Sequence, residues 1–242
     1  MIRRHIVLAA LGLGATTASI GREMGKKNIR EFGKTFTYLK DPQLRQKEAG
    51  DALLTVDGAE FSGERFEGME WRNIVFKNCD FVGGYEIGPK STTNVRYEDC
   101  HFSGILSYGV ANNVQFLRCG WTGASVMFAE KGSKNTIFDA CKFVGTSADP
   151  NQQGTVGSEG EARYIGCQAK WFSWAGDAAL SILDCECEGV SVHTDSPANS
   201  GQEYLSAVVL IERSKLRGKF DMTASNLQSL TIRDTVLEEL SL

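Results

Sequence analysis

The sequence predicts an all-β protein built from stacked coils. Five pentapeptides run without interruption from Ala59 to Gly83, and each has an aromatic side chain at its centre. This five-residue period matches neither the 3.6-residue repeat of an amphipathic helix nor the two-residue repeat of an isolated strand. It indicates a chain that turns a corner after every pentapeptide and points one large side chain inward from each side.

The last pentapeptide of this run, Cys-Asp-Phe-Val-Gly, recurs along the chain. Its copies are 18 to 29 residues apart, and three residues before each copy lies another apolar residue. The copies begin at Cys79, Cys100, Cys119, Cys141, Cys167, Cys185, Ser214 and Thr235. Self-similarity near a fixed period is typical of a stacked solenoid. Each coil therefore has at least two well-marked sides.

We expect the central residues of successive copies to form a ladder, because neighbouring strands lie about 4.8 Å apart. The predicted ladder contains Phe61, Phe81, Phe102, Trp121, Phe143, Ala169, Cys187, Leu216 and Leu237. It weakens at Ala169, where an unfilled void would be destabilising. Trp171 or Trp174 is expected to fill that space.

These residues resemble the pentapeptide-repeat family, whose consensus is a small residue, a polar residue, Leu or Phe, and two more polar or small residues. The resemblance is strong over residues 59–83 and looser over 55–242, where many sides depart from the consensus. It implies a right-handed quadrilateral β-helix with about four pentapeptides per coil. Residues 51–242 are accordingly predicted to form a pentapeptide-repeat-like solenoid of about eight to nine coils.

Six of the seven cysteines occupy the small-residue position of successive copies, and Cys187 takes a central position. Cysteine is a small apolar residue that buries readily, so we interpret them as packing residues. Cys185 and Cys187 lack an accompanying CxxC or HxxxH pattern, and no metal or cofactor is expected. Disulfides between coils stay open as an alternative, although seven is an odd number and their geometry is demanding.

Two segments precede the predicted solenoid. Residues 1–21 resemble an export signal, because Arg3 and Arg4 precede 15 uncharged residues. This predicts an exported or periplasmic protein, or one anchored in the inner membrane, with a cytoplasmic location as the alternative. Residues 22–50 form a basic segment with a predicted amphipathic helix over 22–40. We interpret it as a cap over the solenoid end, with association to a membrane surface as the alternative.

Three polar runs interrupt the repeat, at residues 88–94, 146–161 and 193–203. Loops on a rigid scaffold often carry function, so these runs are candidate partner-binding loops. The candidate residues in them are Lys90, Asp149, Asn151, Glu159, His193 and Asp195. The sequence contains no recognisable catalytic motif. The aromatic cluster of Trp171, Phe172 and Trp174 could stack on sugar rings, but filling the core beside Ala169 is the preferred interpretation.

Charge limits the functions that suit this chain. Residues 51–242 carry 16 basic and 26 acidic residues, a net charge of −10, whereas residues 1–50 carry a net charge of +6. An acidic rod does not suit nucleic-acid binding but suits a basic protein partner. We predict a non-enzymatic protein-interaction scaffold, such as a bacterial inhibitor or immunity protein. The alternatives are a DNA-mimic topoisomerase-binding protein, a role known in the family, and a β-helix carbohydrate-active enzyme.

Overall fold

The computed structural model shows a parallel β-solenoid with two short α-helices near the N-terminus. Strands make up 61% of it, which confirms the predicted all-β class. The structure describes residues 25–82, 89–103, 109–122, 126–128, 132–144, 155–158, 160–175, 178–194, 207–224 and 227–241. The signal-like segment 1–21 lies outside the described residues.

The first of two parallel sheets contains twelve strands. Ten of them stack in one path along the solenoid, and β10 and β13 lie beside it. The strands are β1 (Lys27–Asn28), β3 (Ala59–Ser62), β5 (Asp80–Val82), β7 (His101–Phe102), β9 (Gly120–Trp121), β10 (Val126–Phe128), β12 (Lys142–Phe143), β13 (Thr155–Ser158), β15 (Gln168–Ala175), β17 (Glu186–Thr194), β19 (Lys215–Ala224) and β21 (Val236–Ser241).

The second sheet contains nine strands that alternate with those of the first along the chain. They are β2 (Leu54–Asp57), β4 (Glu70–Lys77), β6 (Ser91–Glu98), β8 (Val110–Leu117), β11 (Lys134–Asp139), β14 (Ala162–Ile165), β16 (Ala179–Leu183), β18 (Ala207–Glu212) and β20 (Leu227–Arg233). The solenoid has about six turns, slightly fewer than the predicted eight to nine coils. The second sheet nevertheless contains nine stacked strands, which equals the upper predicted number of coils. The prediction therefore differs from the structure in the number of complete turns and not in the number of stacked strands.

Two ladders of stacked side chains form the core. In the first sheet, the register pairs the central residues in the predicted order from Phe61 to Leu237. Adjacent rings from Phe61 to Phe143 have centroids 4.5 to 4.8 Å apart. In the second sheet, rings from Phe76 to Tyr164 stack at 4.8 to 4.9 Å. The strand spacing therefore sets the ring spacing.

The first complete coil has four aromatic sides. The ring centroid of Phe66 lies 6.0 Å from that of Phe61 and 4.8 Å from that of Trp71. Phe76 closes the set, at 5.3 Å from Trp71 and 5.7 Å from Phe61. All four side chains are buried. The uninterrupted pentapeptides thus turn four corners around one aromatic centre.

Of the two tryptophans predicted to fill the space beside Ala169, Trp174 is buried and Trp171 is not. Phe172 is buried and its ring lies 4.7 Å from that of Tyr164, the neighbouring ring in the second ladder. Trp174 is also buried, and its Nε1 donates a hydrogen bond to the carbonyl oxygen of Gly160 at 2.9 Å. Trp171 remains partly exposed and does not belong to the buried core. Phe172 and Trp174 therefore supply the apolar packing.

Left-handed backbone conformations turn the corners between the two sheets. The residue before each Cys, Ser or Thr of the repeat has a φ angle between +49° and +58°. These residues are Asn78, Asp99, Arg118, Ala140, Gly166, Asp184, Arg213 and Asp234. Their amides donate to carbonyl groups of the next coil, as Asn78 does to Glu98 at 3.0 Å. Such bonds offset the strain of this conformation in residues other than glycine.

A second left-handed corner carries a ladder of asparagine side chains. Asn73, Asn94, Asn113 and Asn135 have φ angles of +50° to +55°. Each Nδ2 donates to the Oδ1 of the preceding asparagine, at 3.1, 2.8 and 2.9 Å from Asn94 to Asn135. Asparagine tolerates this conformation better than most residues. The corner is thus fixed by both backbone preference and side-chain bonding.

The N-terminal segment differs from the single helix predicted over 22–40. It contains β1, a 3₁₀ helix (Ile29–Phe32), α1 (Lys34–Lys40) and α2 (Pro42–Ala49). Gly33 separates the 3₁₀ helix from α1 with a φ of +53° and a ψ of −111°, a combination that residues with a Cβ atom rarely adopt. None of the described helices is long and apolar enough to cross a membrane.

This N-terminal segment lies against the first coil. The indole Nε1 of Trp71 donates to the carbonyl oxygen of Leu39 in α1 at 3.1 Å. The buried guanidinium of Arg45 in α2 donates to the carbonyl oxygens of Ala52 at 2.8 Å and Asn73 at 2.9 Å. Strand β1 also pairs with β3 at the edge of the first sheet. These contacts cover an edge that would otherwise leave its backbone groups unpaired.

Substitution of a ladder ring will destabilise the solenoid. Phe116→Ala removes a fully buried ring that stacks on Tyr97 and Phe138, and should lower the free energy of unfolding by about 3–5 kcal/mol. Val144→Ala, at a position 60% exposed, should change it by less than about 0.5 kcal/mol. Chemical denaturation measures both variants, and equal effects would contradict the ladder as the source of stability.

The asparagine ladder predicts different costs for two substitutions at one position. Asn113→Ala loses the amide bonds and places alanine in a left-handed conformation, which costs roughly 1–2 kcal/mol by itself. Asn113→Gly loses the same bonds without that strain. The alanine variant should therefore be less stable than the glycine variant in equilibrium denaturation. If the two were equally stable, backbone strain at this corner would be negligible.

Candidate interaction surface

The six cysteines at the start of successive repeats form a buried internal column. The thiol of Cys100 lies within hydrogen-bond distance of two carbonyl oxygens, those of Phe76 at 3.5 Å and Glu98 at 3.3 Å. The same position later holds Ser214 and Thr235, whose hydroxyls also donate to a carbonyl two residues earlier. A thiol and a hydroxyl thus make equivalent bonds. All six cysteines have free thiols, and they are Cys79, Cys100, Cys119, Cys141, Cys167 and Cys185.

Burial limits the access of reagents to these thiols. It raises the pKa of Cys119 in the column and raises the pKa of Cys187, outside the column, to about 12, whereas hydrogen bonds with neighbouring thiols lower the pKa values of Cys100 and Cys141. Because the thiolate is the reactive form, thiols with raised pKa values react slowly near neutral pH. Within the described ranges, no group of three or more His, Cys, Asp or Glu side chains is arranged to hold a metal ion. The column therefore packs the interior.

The predicted loops are only partly described. Lys90 is exposed and lies immediately before β6, but Ser91 to Asn94, also assigned to a loop, belong to that strand and pair with β4. Likewise β13 lies within the predicted loop 146–161. His193 is in β17. Asp149, Asn151, Glu159 and Asp195 lie outside the described residues.

His101 makes the one polar contact described for a histidine side chain in these ranges. Its Nε2 lies 3.0 Å from the Thr122 hydroxyl on the outer face of the first sheet. His101 is beside Gly120 and Asp80 in the register, and Asp80 is ion-paired with Lys26. This places a histidine and a hydroxyl within hydrogen-bond distance on the outer face of the first sheet.

The outer face of the second sheet carries a strip of aliphatic side chains. Each alternates along its strand with a buried core residue and is itself partly exposed. Ile165 and Leu183 are directly paired on β14 and β16. The strip, called the aliphatic strip below, consists of Leu117, Ile137, Ile165, Leu183 and Leu210. Apart from the pair of Ile165 and Leu183, its members lie diagonally on neighbouring strands, with Asp139, Arg163 and Ser181 between them in the register. Val208, also on β18, extends it and is 39% exposed.

Ion pairs border the aliphatic strip along the corner between the sheets. The guanidinium of Arg118 bonds both oxygens of Asp99 at 2.7 Å, and Arg213 binds Asp184 in the same way at 2.7 and 2.8 Å. Hydrogen bonds from these arginines lower the pKa values of Asp99 and Asp184. Glu212 bonds both Arg213 and Arg233. An apolar centre with a polar border is the usual arrangement of a protein interface.

The sequence contains a pattern that predicts this surface, although the predicted binding sites were all loops. β16 and β18 read Ala-Leu-Ser-Ile-Leu and Ala-Val-Val-Leu-Ile-Glu, in which the inward set is apolar throughout and the outward set is apolar except at Ser181 and Glu212. Parallel strands covered on both faces have this composition. A strand with one solvated face would alternate between apolar and polar residues.

Comparisons with protein-family models, curated proteins and solved structures give no match to this chain.

The buried thiols will resist labelling in the folded protein. At pH 8, Ellman's reagent should react slowly with the native protein and rapidly with all seven cysteines after denaturation. The reason is that burial both blocks access and disfavours the thiolate. Labelling followed by absorbance measures the two rates. Rapid labelling of several native thiols would show that the column is open to solvent.

Proposed function

We propose that this chain is a non-enzymatic protein-interaction scaffold of the pentapeptide-repeat type, and that its partner binds the aliphatic strip. The observation that carries the proposal is the directly paired Ile165 and Leu183 on the outer face of a parallel sheet, with further aliphatic side chains diagonal to them on the neighbouring strands. Exposed apolar side chains grouped among polar and charged residues are typical of binding sites in soluble proteins.

The charged border supports a protein partner. Arginines are enriched at protein interfaces, and Arg118, Arg213 and Arg233 stand beside the aliphatic strip with their charges already paired. A partner that covers the strip would leave these ion pairs at the solvent-exposed edge. There they contribute more to orientation and association rate than to affinity. The central binding energy would come from Ile165, Leu183 and their neighbours.

The pentapeptide-repeat assignment rests on the first coil. Its four central aromatic residues face a common centre, and the small residues Ala59 and Cys79 are fully buried beside them. These are the two inward positions of the family consensus. Later coils keep the same pairing of a small and a large inward residue in the first sheet.

The proposal has two more specific parts: the protein is exported, and it acts as an inhibitor or immunity protein. The export signal rests on residues 1–21, and an exported scaffold would meet partners outside the cytoplasm. The net charge of −10 over residues 51–242 favours a basic partner. A bacterial toxin with an apolar patch and a basic surround has the chemistry that this surface would recognise.

The DNA-mimic alternative receives less support. A mimic of DNA presents unneutralised acidic groups in rows, as the phosphates of a duplex are. Here Asp99, Asp184 and Glu186 are each ion-paired with an arginine, and Glu98 is paired with Lys77 and Arg96. These four acidic groups are therefore neutralised within the protein itself.

Charges placed in the aliphatic strip should abolish partner binding. Ile165→Glu and Leu183→Glu each put a carboxylate at the centre of the surface, and the loss expected at an interface centre exceeds about 2 kcal/mol. The measurement is affinity capture with tagged full-length protein, followed by titration of the partner that is recovered. Both variants should retain the wild-type circular dichroism spectrum, because the positions are partly exposed.

Val144→Glu is the matched control, since it adds the same charge at an exposed aliphatic residue outside the strip. It should leave partner binding unchanged. Equal loss in the control, or undiminished binding by both strip variants, would reject the strip as the interface. Inhibition of topoisomerase supercoiling by the protein would instead favour the DNA-mimic alternative.

A further inference from the structure

We propose that Trp171 is a stacking platform for a sugar ring of an uncharged glycan. The site lies on the outer surface at the start of β15, next to β17 and β19, and is separate from the aliphatic strip on the second sheet. It adds a ligand class to the protein interaction proposed above and does not depend on that interaction.

The repeat itself gives no reason for an aromatic residue here. Trp171 occupies the last position of the pentapeptide that begins at Cys167. In seven of the other eight copies this position holds glycine, including Gly63, Gly189 and Gly218. Gly63, Gly189 and Gly218 occupy this position in the described part of the chain without a side chain, so the indole has a role that the fold does not require.

The indole lies against the bare backbone of the next coil. Trp171 pairs with Gly189 in the register of β15 and β17. A Cβ atom at Gly189 would come within 2.5 Å of Trp171 Cζ3 and 2.6 Å of Cη2. Glycine therefore makes room for the ring. Because Trp171 is partly exposed while Phe172 and Trp174 are 1% exposed, the indole is supported from one side and accessible from the other.

Polar side chains surround this aromatic surface. Lys170 and Glu188 precede the corner on β15 and β17. Beyond it, Ser173 pairs with Ser191, which pairs with Asp221 on β19. Hydroxyl, carboxylate and ammonium groups thus lie on both sides of the indole. None of the described outward side chains of β15, β17 and β19 is aliphatic.

This combination fits a sugar better than a protein. A pyranose ring has one apolar face of C–H groups, which stacks on an indole, and a rim of hydroxyls that need hydrogen-bond partners. A protein hot spot would have further apolar neighbours around the tryptophan, as the aliphatic strip does. Both described basic side chains of β19 near the indole are paired, Arg217 with Glu186 and Lys219 with Asp221, which favours an uncharged glycan over a polyanionic one.

Titration with defined oligosaccharides tests the proposal. The probes are cellohexaose and hexa-N-acetylchitohexaose, which are uncharged, and an oligogalacturonate as the charged comparison. Calorimetry with the full chain should detect saturable binding of at least one uncharged probe, with little dependence on salt. Trp171→Gly, which restores the residue usual in the repeat, should weaken binding by about tenfold. Trp171→Phe should retain part of the affinity.

Leu53→Ser is the matched control, because it removes an exposed apolar side chain near the N-terminal end of the solenoid. It should bind the glycan as wild type does. Absence of binding to both uncharged probes would overturn the proposal, as would equal binding by Trp171→Gly. Preference for oligogalacturonate that salt abolishes, or loss of a protein partner but not of glycan in Trp171→Gly, would also overturn it.

Discussion

Vertical stacking of like side chains is the constraint on which the rest of this structure depends. Parallel strands one above another bring each inward residue to within about 4.8 Å of its counterpart. Phe61 to Phe143 and Phe76 to Tyr164 meet this condition as two columns of parallel rings. Each coil is therefore stabilised mainly by its two neighbours, and the corners must return the chain to the same register after every turn.

The corner residues, which bring the chain back into register after each turn, could be predicted only in part. The cysteine spacing determines the register of the first sheet, because one small and one large inward residue mark the same side of every coil. The asparagine ladder has nearly the same spacing, at Asn73, Asn94, Asn113 and Asn135. It was overlooked because asparagine is also a common loop residue, and only the structure shows its left-handed backbone.

Both candidate recognition surfaces lie where outward residues depart from the rule of the repeat. In the aliphatic strip, apolar residues occupy positions that are otherwise polar. At Trp171, an aromatic residue occupies a position that is otherwise glycine. Composition within a strand predicts the first departure, but the direction of Trp171 depends on where β15 turns its corner. The position of this corner cannot be predicted from the sequence of residues 171–174, because three of these four residues are aromatic and any of them could face inward.

The strands of the first sheet become longer where the ladder changes at Ala169. β7, β9 and β12 contain two residues each, whereas β15, β17 and β19 contain eight, nine and ten. The side that holds Phe172 is already present in the two preceding coils, because Phe172 pairs with Val156 and Val156 pairs with Val126. In those coils separate strands form the ladder side and this side, whereas β15 joins both in one strand. One continuous strand therefore carries the ladder residue Ala169, the buried Phe172 and Trp174, and the partly exposed Trp171.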